Sequence, residues 1–412
     1  MVKWQTVRLG KIVSTNQSTY SLKENWKFVN YLDTGNITMN QVDEIQYINT
    51  SIDKLPSRAR RKVKLNSIIY STVRPNQLHY GIIKNKPENF LVSTGFTVID
   101  VDFDKAVPDY IYYVLTQQEI TEYLQSIAEQ SVSAYPSIKP SDIEKLEFLL
   151  PDRKTQEKIV SILRSIDEKI AQNNEINNNL EQQAQAIFKE WFIDNPENNK
   201  WSTGTFSALI KSTVNGDWGK EIPVGNNTQK VYCIRGADMP EIKVGNKGKI
   251  PTRYILSKNF ATKHLTAGDI VVEISGGSPT QSTGRCIAIT QSLLDRYDSG
   301  MVCTNFCKTI KPKEGYSLFI YYYWKYLYSK GAFFSYENGT TGIKNLDYLS
   351  FIKTESIVIP PEDKVIAFDD YCKSIFNQVF ANGKQNEHLS VMRDSVLSQL
   401  MSGELDASNI NL

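Results

Sequence analysis

The sequence has little of what catalysis and metal binding usually require. It contains only three histidines, His79, His264 and His388, which lie far apart, and five cysteines, all of them in its second half. No GxxxxGK[ST] loop, GxGxxG turn or [ND]PP[YF] motif occurs, and no apolar run approaches the ~18 residues of a membrane span. We therefore expect no catalytic residue, no metal site, no cofactor and no membrane contact.

Length and charge set further limits on the class of protein. A chain of 412 residues is long enough for two to four domains at ~150 residues each. Its 47 basic and 45 acidic residues give a net charge of +2, which excludes a uniformly basic surface but not local basic patches. The opening segment lacks the apolar core of a secretion signal, and the scattered cysteines are typical of a reducing compartment. These features predict a cytoplasmic protein.

Two of the cysteines have a spacing that a metal site could use. Cys303 and Cys307 lie in the run VCTNFCKTI, whose apolar residues alternate as in one β-strand. Alternation places both thiols on one face of that strand. We therefore expect both cysteines to pack in a core and not to bind a metal.

The two halves of the chain repeat the same order of short patterns. Each match is weak alone, and their common order indicates an internal duplication. The matched pairs include Trp4 with Trp201, Val63–Ile69 with Leu265–Val271, and Val92–Phe96 with Val302–Phe306.

Each half ends in a segment with heptad spacing. Seam positions recur in alternating steps of four and three from Ile159 to Trp191, and again from Phe368 to Leu400. This spacing predicts two long helices that pair antiparallel as a coiled coil. Each seam would span roughly 48 Å at ~1.5 Å per residue, or about 14 base pairs of duplex DNA. Arg393 interrupts the second seam, and we expect its side chain to extend outward to solvent.

Asparagine occupies the middle of both seams. Antiparallel pairing would bring Asn173 to Asn386 and Asn177 to Asn382. Buried amides fix helix register, because a slip would strand them in an apolar layer. The alternative is that they face solvent at a centre loosened by Gly383.

The helix segments also resemble those of a known family. LPDRKTQEKIVSILRSIDEKI, which ends at Ile170, and LEQQAQAIFKEWF (180–192) are similar to that family's first central conserved region. IPPEDKVIAFDDYCKSIF (359–376) is a more divergent counterpart, without the usual acid–glutamine pair after the prolines. The family is that of the specificity subunits of type I restriction–modification systems, and the resemblance covers nearly the whole chain.

The resemblance implies an α+β fold class. Two related α/β target-recognition domains would be separated by two long antiparallel helices, with a pseudo-twofold internal repeat. The expected boundaries are 1–150 for the first domain, 151–194 for the first helix, 195–200 for a linker, 201–358 for the second domain, 359–403 for the second helix and 404–412 for a tail.

The resemblance also implies a function and partners. Each domain would read one half of a gapped site in double-stranded DNA. The helices would dock two methyltransferase subunits, and restriction/translocase subunits could join the complex. The chain itself would be a non-catalytic recognition subunit.

Candidate DNA contacts follow from residue chemistry and from this resemblance. The basic run 54–64 suits phosphate neutralisation, with a solvated face as the alternative. Two loops that follow matched strands offer donors suited to base edges, with an ordinary hairpin turn as the alternative. Segments 133–139 and 339–344 resemble the loop before the family's last strand. The candidates are Arg58, Arg60, Arg61, Lys62, Arg74, Asn76, Tyr135, Lys139, Ser275, Gly276, Gly277, Ser278, Gln281, Thr283, Arg285, Thr340 and Lys344.

Other functions stay open at this stage. A single-chain nuclease or methyltransferase would transfer methyl groups or cut DNA without partners. A bivalent protein–protein adaptor would show no salt-dependent binding to duplex DNA. A specificity subunit of a type IIB restriction enzyme would differ only in the genes beside it.

Overall fold

The computed structural model describes residues 4–131, 135–277, 281–339, 343–407 and 410. The chain divides into two compact units, Met1–Asp167 with Val391–Leu412, and Glu168–Ser390. Each unit contains one strand-rich head and parts of both long helices. The first head is residues 4–150 and the second head is residues 201–359. The six segment boundaries expected from the sequence stay predictions.

The first unit contains short strands and three short helices before the first long helix. Its strands are β1 Gln5–Arg8, β2 Val13–Thr15, β3 Phe28–Leu32, β4 Ile37–Thr38, β5 Gln41–Val42, β6 Gln46–Asn49, β7 Ala59–Lys62, β8 Ile68–Ser71, β9 Tyr80–Ile82, β10 Phe90–Ser93, β11 Phe96–Val101 and β12 Glu147–Leu150. Its helices are α1 Pro108–Leu115, α2 Gln118–Glu129, α3 Pro140–Glu144 and the start of α4 Arg153–Phe188.

The second unit has a similar succession of elements. Its strands are β13 Ser202–Thr205, β14 Ile210–Asn215, β15 Asn227–Ile234, β16 Thr252–Leu256, β17 Ile270–Glu273, β18 Ser275–Gly276, β19 Cys286–Ala288, β20 Met301–Cys303, β21 Cys307–Pro312, β22 Glu337–Asn338, β23 Lys344–Leu346 and β24 Ser356–Ile359. Its helices are α5 Phe206–Leu209, α6 Met239–Lys243, α7 Ser257–Lys263, α8 Gln291–Leu294, α9 Ser317–Ser329, α10 Tyr348–Thr354 and most of α11 Glu362–Ser402.

The sheets of the two heads share a common strand order, to which the first head adds β7 at the edge of its second sheet. The order β2-β11-β8-β9 in the first head is repeated as β14-β21-β17-β19 in the second. A second sheet repeats as β6-β3-β10 and β16-β15-β20, and in each the last pair is parallel while the others are antiparallel. The antiparallel pairs β1-β12 and β13-β24 join the ends of each head. The duplication expected from the sequence is therefore confirmed.

Each head packs around its own apolar core. The central strands β8 and β17 are buried at every residue, as expected for continuous apolar runs between neighbouring strands. The aromatic helices α1 and α9 pack against these sheets, and Tyr110, Tyr321 and Tyr322 are at most 1% exposed. These tyrosines are core residues, as their helical spacing predicts.

The two long helices are antiparallel and bury the seams that the heptads predict. In α4 the buried seam includes Ile159 and Leu163 in the first unit and Ala184 in the second. The Asp152 carboxylate accepts a hydrogen bond from the Thr155 backbone N–H at 3.0 Å, which caps the start of α4. A π-helical turn, Lys189–Ile193, continues the chain after α4.

Cys303 and Cys307 both pack in the core of the second head, as expected. The single strand expected for them is wrong, since they lie on separate strands and the chain turns between β20 and β21. The expectation for a second residue is also wrong. Arg393 does not extend to solvent. Its side chain is 19% exposed and forms ion pairs with Asp167 at 3.1 Å and Asp394 at 2.8 Å. A buried guanidinium needs such carboxylate partners, and Asp167 is too distant in sequence to be read from a seam pattern.

Candidate nucleic-acid interface

In the first head, two predicted DNA loops lie side by side. The chain leaves β8 through Thr72, whose carbonyl accepts the backbone N–H of Ile138 at 2.9 Å. The Arg74 backbone N–H donates to the Pro136 carbonyl at 3.0 Å, and Val73 forms a β-bridge with Ser137. Segments 72–77 and 135–139 are therefore one surface, although more than fifty residues separate them in the chain.

Polar side chains project from this surface. Arg74 has a left-handed backbone with φ of 48°, which is uncommon for a residue with a side chain. Its guanidinium lies over the ring of Tyr135, 5.3 Å from the ring centroid, and Tyr135 is 60% exposed. Asn76 and Lys139 are exposed on the two loops. The arrangement presents a cation, an aromatic ring and an amide.

The basic run lies beside the same surface. Arg60, Arg61 and Lys62 are on β7, at the edge of a four-stranded sheet. The carbonyl of Arg58 accepts the N–H of Thr94, and the carbonyl of Gly95, the residue after Thr94, accepts the N–H of Thr72. Backbone hydrogen bonds thus connect the basic run 54–64 to segment 72–77 through Thr94 and Gly95.

These basic side chains differ in their exposure and in the groups that they contact. Arg58 is exposed. Burial acts to raise the pKa of Asp33, but its hydrogen bonds, with a smaller contribution from the charge of Arg58, hold that pKa below its usual value. The Lys62 ammonium forms an ion pair with Glu24 at 2.5 Å. The Arg60 guanidinium donates to the Ala59 carbonyl at 3.1 Å. Phosphate binding would therefore compete with an existing carboxylate at Lys62.

The second head joins its two loops in the same way, through a short sheet. Ser275 pairs with Asn345, and Gly276 pairs with Lys344. Gly276 and Gly277 have positive φ values, 145° and 76°, which glycine adopts without the strain of a side chain. The second head thus brings the start of the 275–285 loop against the segment that enters β23.

The candidate cations of the second head are paired inside the protein. Arg285 donates two hydrogen bonds to the carboxylate of Glu273, at 2.8 and 2.6 Å, and this pairing raises the pKa of the guanidinium. Glu337 accepts hydrogen bonds from Thr283, and Lys344 forms an ion pair with it at 2.8 Å. Burial raises the pKa of Glu337, but these bonds outweigh burial and leave the pKa below its usual value.

Three further candidate DNA contacts were predicted in the second head. Gln281 is exposed. Ser278 and Thr340 lie outside the described residues. The two acidic partners, Glu273 and Glu337, were not predicted from the sequence. For Glu273, the one signal in the sequence is that a glutamate ends the otherwise apolar strand IVVE, twelve positions before Arg285. The sequence around Glu337 offers no comparable signal.

The four seam asparagines are buried and hydrogen-bonded in the second unit. The Asn173 amide donates to Asn386 at 2.8 Å, and Asn386 donates to Asn174 at 2.9 Å. The Asn382 amide donates to Asn177 at 2.8 Å. All four are at most 7% exposed, so they do not face solvent. Their role in fixing helix register stays a prediction.

These asparagines also contact the second head. The Asn177 amide donates to the Val244 carbonyl at 2.9 Å. A Cβ on Gly383 would lie 1.9 Å from the carbonyl oxygen of Gly245, so only glycine lets this backbone approach α11 so closely. Helix α11 is continuous through Gly383, which therefore serves close packing and does not loosen the centre.

The described residues contain neither a group of metal ligands nor a membrane-spanning helix. Their histidine, cysteine, aspartate and glutamate side chains form no group of three or more that could hold a metal ion. Among the helices of the same residues, none combines the length and the apolar character needed to cross a membrane.

The sequence of this chain is similar to that of known proteins. Residues 1–182 match the model of the type I restriction modification DNA specificity domain. The HindI type I restriction enzyme specificity subunit of Haemophilus influenzae is 26% identical, with 98% of this chain and 100% of the relative covered. The MjaIX specificity subunit of Methanocaldococcus jannaschii is 25% identical, with 96% and 91% covered.

A solved structure agrees at the level of the fold. The S subunit of a type I restriction–modification system from M. genitalium has a TM-score of 0.52 at 14% identity, with 97% of this chain and 96% of that chain covered. In sequence and in fold, the chain is thus similar to the specificity subunits of type I restriction–modification systems.

Proposed function

We propose that this chain reads a gapped site in double-stranded DNA, with one half-site bound by each head. The observation that carries the proposal is the repeated loop pair. In both heads, the loop after the central strand is joined by backbone hydrogen bonds to the segment before the last strand. Function in recognition proteins is commonly placed on such loops, because a rigid sheet positions them.

The proposal extends to the partners and to the division of labour. The paired helices dock two methyltransferase subunits, and restriction/translocase subunits join that complex in the cytoplasm. The chain contributes recognition and leaves catalysis to its partners, so it needs no cofactor of its own. Both curated relatives are specificity subunits of type I restriction enzymes, which supports this assignment. Mass measurement of the co-expressed complex should give two methyltransferases per chain.

Selection from random duplexes tests DNA reading directly. The full chain with its methyltransferases should enrich two short sequences at a fixed gap, and its affinity should fall steeply as salt concentration rises. Sequence-independent binding, or no binding at all, contradicts the proposal. The second of these outcomes would favour a protein–protein adaptor.

The helices are proposed to set the gap between half-sites. One heptad inserted after Glu175 and another after Lys384 would keep the seam in phase. Both Asn173–Asn386 and Asn177–Asn382 would survive, because the two insertions lie opposite each other between these pairs. Each helix grows by about 10 Å, so the preferred gap should increase by about three base pairs.

The gap preference, and not the affinity, is the decisive measurement here. Three base pairs also rotate one half-site by roughly 100° relative to the other, which lowers affinity even when helix length sets the gap. An unchanged gap preference in the double insertion would contradict the spacer role. A four-residue insertion in one helix alone is the control, since it breaks the asparagine contacts and should reduce assembly.

A further inference from the structure

Hydrogen bonds hold the turn between β20 and β21 in the second head on both sides. The Thr304 N–H donates to the Ile234 carbonyl at 3.0 Å, and the Thr304 hydroxyl accepts the N–H of Phe306 at 3.0 Å. The Phe306 carbonyl accepts N–H groups from Ile274 and Ser275, at 2.9 and 3.2 Å. The turn is thus hydrogen-bonded to the strand on one side and to the start of the 275–285 loop on the other.

Two neighbouring side chains of this turn are exposed to solvent. Phe306 is 59% exposed, and Asn305 beside it is also exposed. Phe306 borders an open cavity of about 470 Å³ whose lining includes Trp218, Ser275 and Asn305. An aromatic ring held in water by a fixed backbone is available to contact an apolar group of a ligand.

The first head has no counterpart of this aromatic side chain. Thr72 donates to the Gly95 carbonyl at 2.8 Å, just as Ile274 donates to that of Phe306, so Gly95 occupies the position of Phe306. The sequence comparison paired Phe96 with Phe306, whereas the hydrogen bonds pair Gly95 with Phe306. The sequence match is therefore wrong by one residue at this point. A Cβ on Gly95 would meet Thr34 at 2.8 Å. The exposed phenylalanine therefore belongs to the second head and not to the common fold.

We infer that Asn305 and Phe306 read one A·T base pair in the half-site of the second head. This inference rests on the proposed function. In the major groove, adenine presents N6 and N7, which an asparagine amide contacts with two hydrogen bonds, and thymine presents a 5-methyl group, which suits an aromatic ring. The adjacent residues supply both contacts at once. Because the turn is already ordered, binding does not have to fix its backbone.

Uracil substitution tests the inference without altering the protein. Duplex selection first identifies the second half-site as the one whose sequence preference relaxes in Phe306→Ala. Each thymine of that half-site is then replaced by uracil, which removes only the 5-methyl group. At one position the affinity of the full complex should fall about fourfold, the value expected for one buried methyl group. The same uracil should have no effect on Phe306→Ala.

The amide is tested by the complementary probe. Replacing the paired adenine by 7-deazaadenine removes the N7 acceptor and should weaken binding about tenfold for the unaltered chain, but not for Asn305→Ala. Leu349→Ala is the matched control, because Leu349 is 53% exposed on the same head and should leave affinity and sequence preference unchanged.

Three results would overturn the inference while leaving DNA reading intact. They are a second half-site with no A·T pair, insensitivity of the unaltered complex to every uracil, and an equal loss of affinity for all duplexes in Phe306→Ala. Loss of methyltransferase binding alone in Phe306→Ala would also overturn it, since the ring would then contact a protein. Failure of the unaltered complex to select any duplex sequence would instead overturn the proposed function itself.

Discussion

The two heads share one topology but use arginine differently at their joined loops. Arg74 of the first head is exposed and lies over the Tyr135 ring. Arg285 of the second head is bound by both oxygens of Glu273, whose side chain is 6% exposed. The guanidinium of Arg74 is accessible to solvent, whereas that of Arg285 holds its own loop to the end of β17. Equivalent loops therefore do not imply equivalent contact residues.

The largest expected effect is on the stability of the second head. Arg285→Ala should lower the free energy of local unfolding by about 3–5 kcal/mol, because it leaves the buried Glu273 carboxylate without its partner. Amide hydrogen exchange in β17 and β19 measures this opening. Arg74→Ala should change the stability of the first head by less than about 0.5 kcal/mol, as expected for an exposed residue.

A double variant separates the pair from the packing around it. Replacing Arg285 by Met and Glu273 by Leu removes both charges, and it should restore most of the stability lost in Arg285→Ala. Loss of base selectivity in Arg285→Ala with unchanged exchange rates would show that this arginine reads DNA, as its sequence position first indicated.

The second comparison concerns the long helices. The second unit buries the Asn177–Asn382 amide pair, whereas the first unit has the partly exposed ion pair of Arg393 with Asp167. Asn177→Ala should destabilise the second unit by about 2–3 kcal/mol, since the Asn382 amide and the Val244 carbonyl lose a buried partner. Chemical unfolding followed at residues of the second unit measures the loss.

Replacement of both amides tests what they contribute beyond stability. Asn177→Leu with Asn382→Leu removes both side-chain amides but still leaves the Val244 carbonyl without its donor, so it should recover only part of the stability. If this pair sets the register, the double variant should show more than one register, which distance measurements between spin labels on α4 and α11 within the second unit would detect. A single unchanged distance distribution would show that the Asn177–Asn382 pair does not set the register.

The features predicted correctly from the sequence are those that depend on local periodicity. Steps of four and three are enough to place Ile159 and Phe368 on buried seams, because a helix repeats every few residues. The failures depend on distant partners. VCTNFCKTI alternates like one strand, and the turn is evident only from distant partners, since Cys303 pairs with Ile234 in one sheet and Cys307 pairs with Glu273 in another. No local pattern reveals that Glu273 occupies the donors of Arg285.

Smaller effects are expected in DNA binding by the first head. Arg74→Ala should weaken binding of the cognate site by roughly 1–3 kcal/mol and relax preference at one position of one half-site, because a guanidinium can contact a guanine at two atoms. Duplex selection with the variant measures both quantities. An equal loss for all duplexes, with a smaller dependence on salt, would make Arg74 a phosphate contact.

Variants of Tyr135 show whether the ring beneath Arg74 matters to that contact. Tyr135→Phe keeps the aromatic face and should bind as the unaltered chain does. Tyr135→Leu removes the cation–π interaction, which contributes about 0.5–1 kcal/mol at an exposed site. The variant should therefore bind DNA about two- to fivefold more weakly, which is the same free energy expressed as a ratio of affinities. The loss should disappear when Arg74 is already alanine, since the ring then has no guanidinium to orient. A loss that persists in Arg74→Ala would mean that Tyr135 contacts the DNA itself.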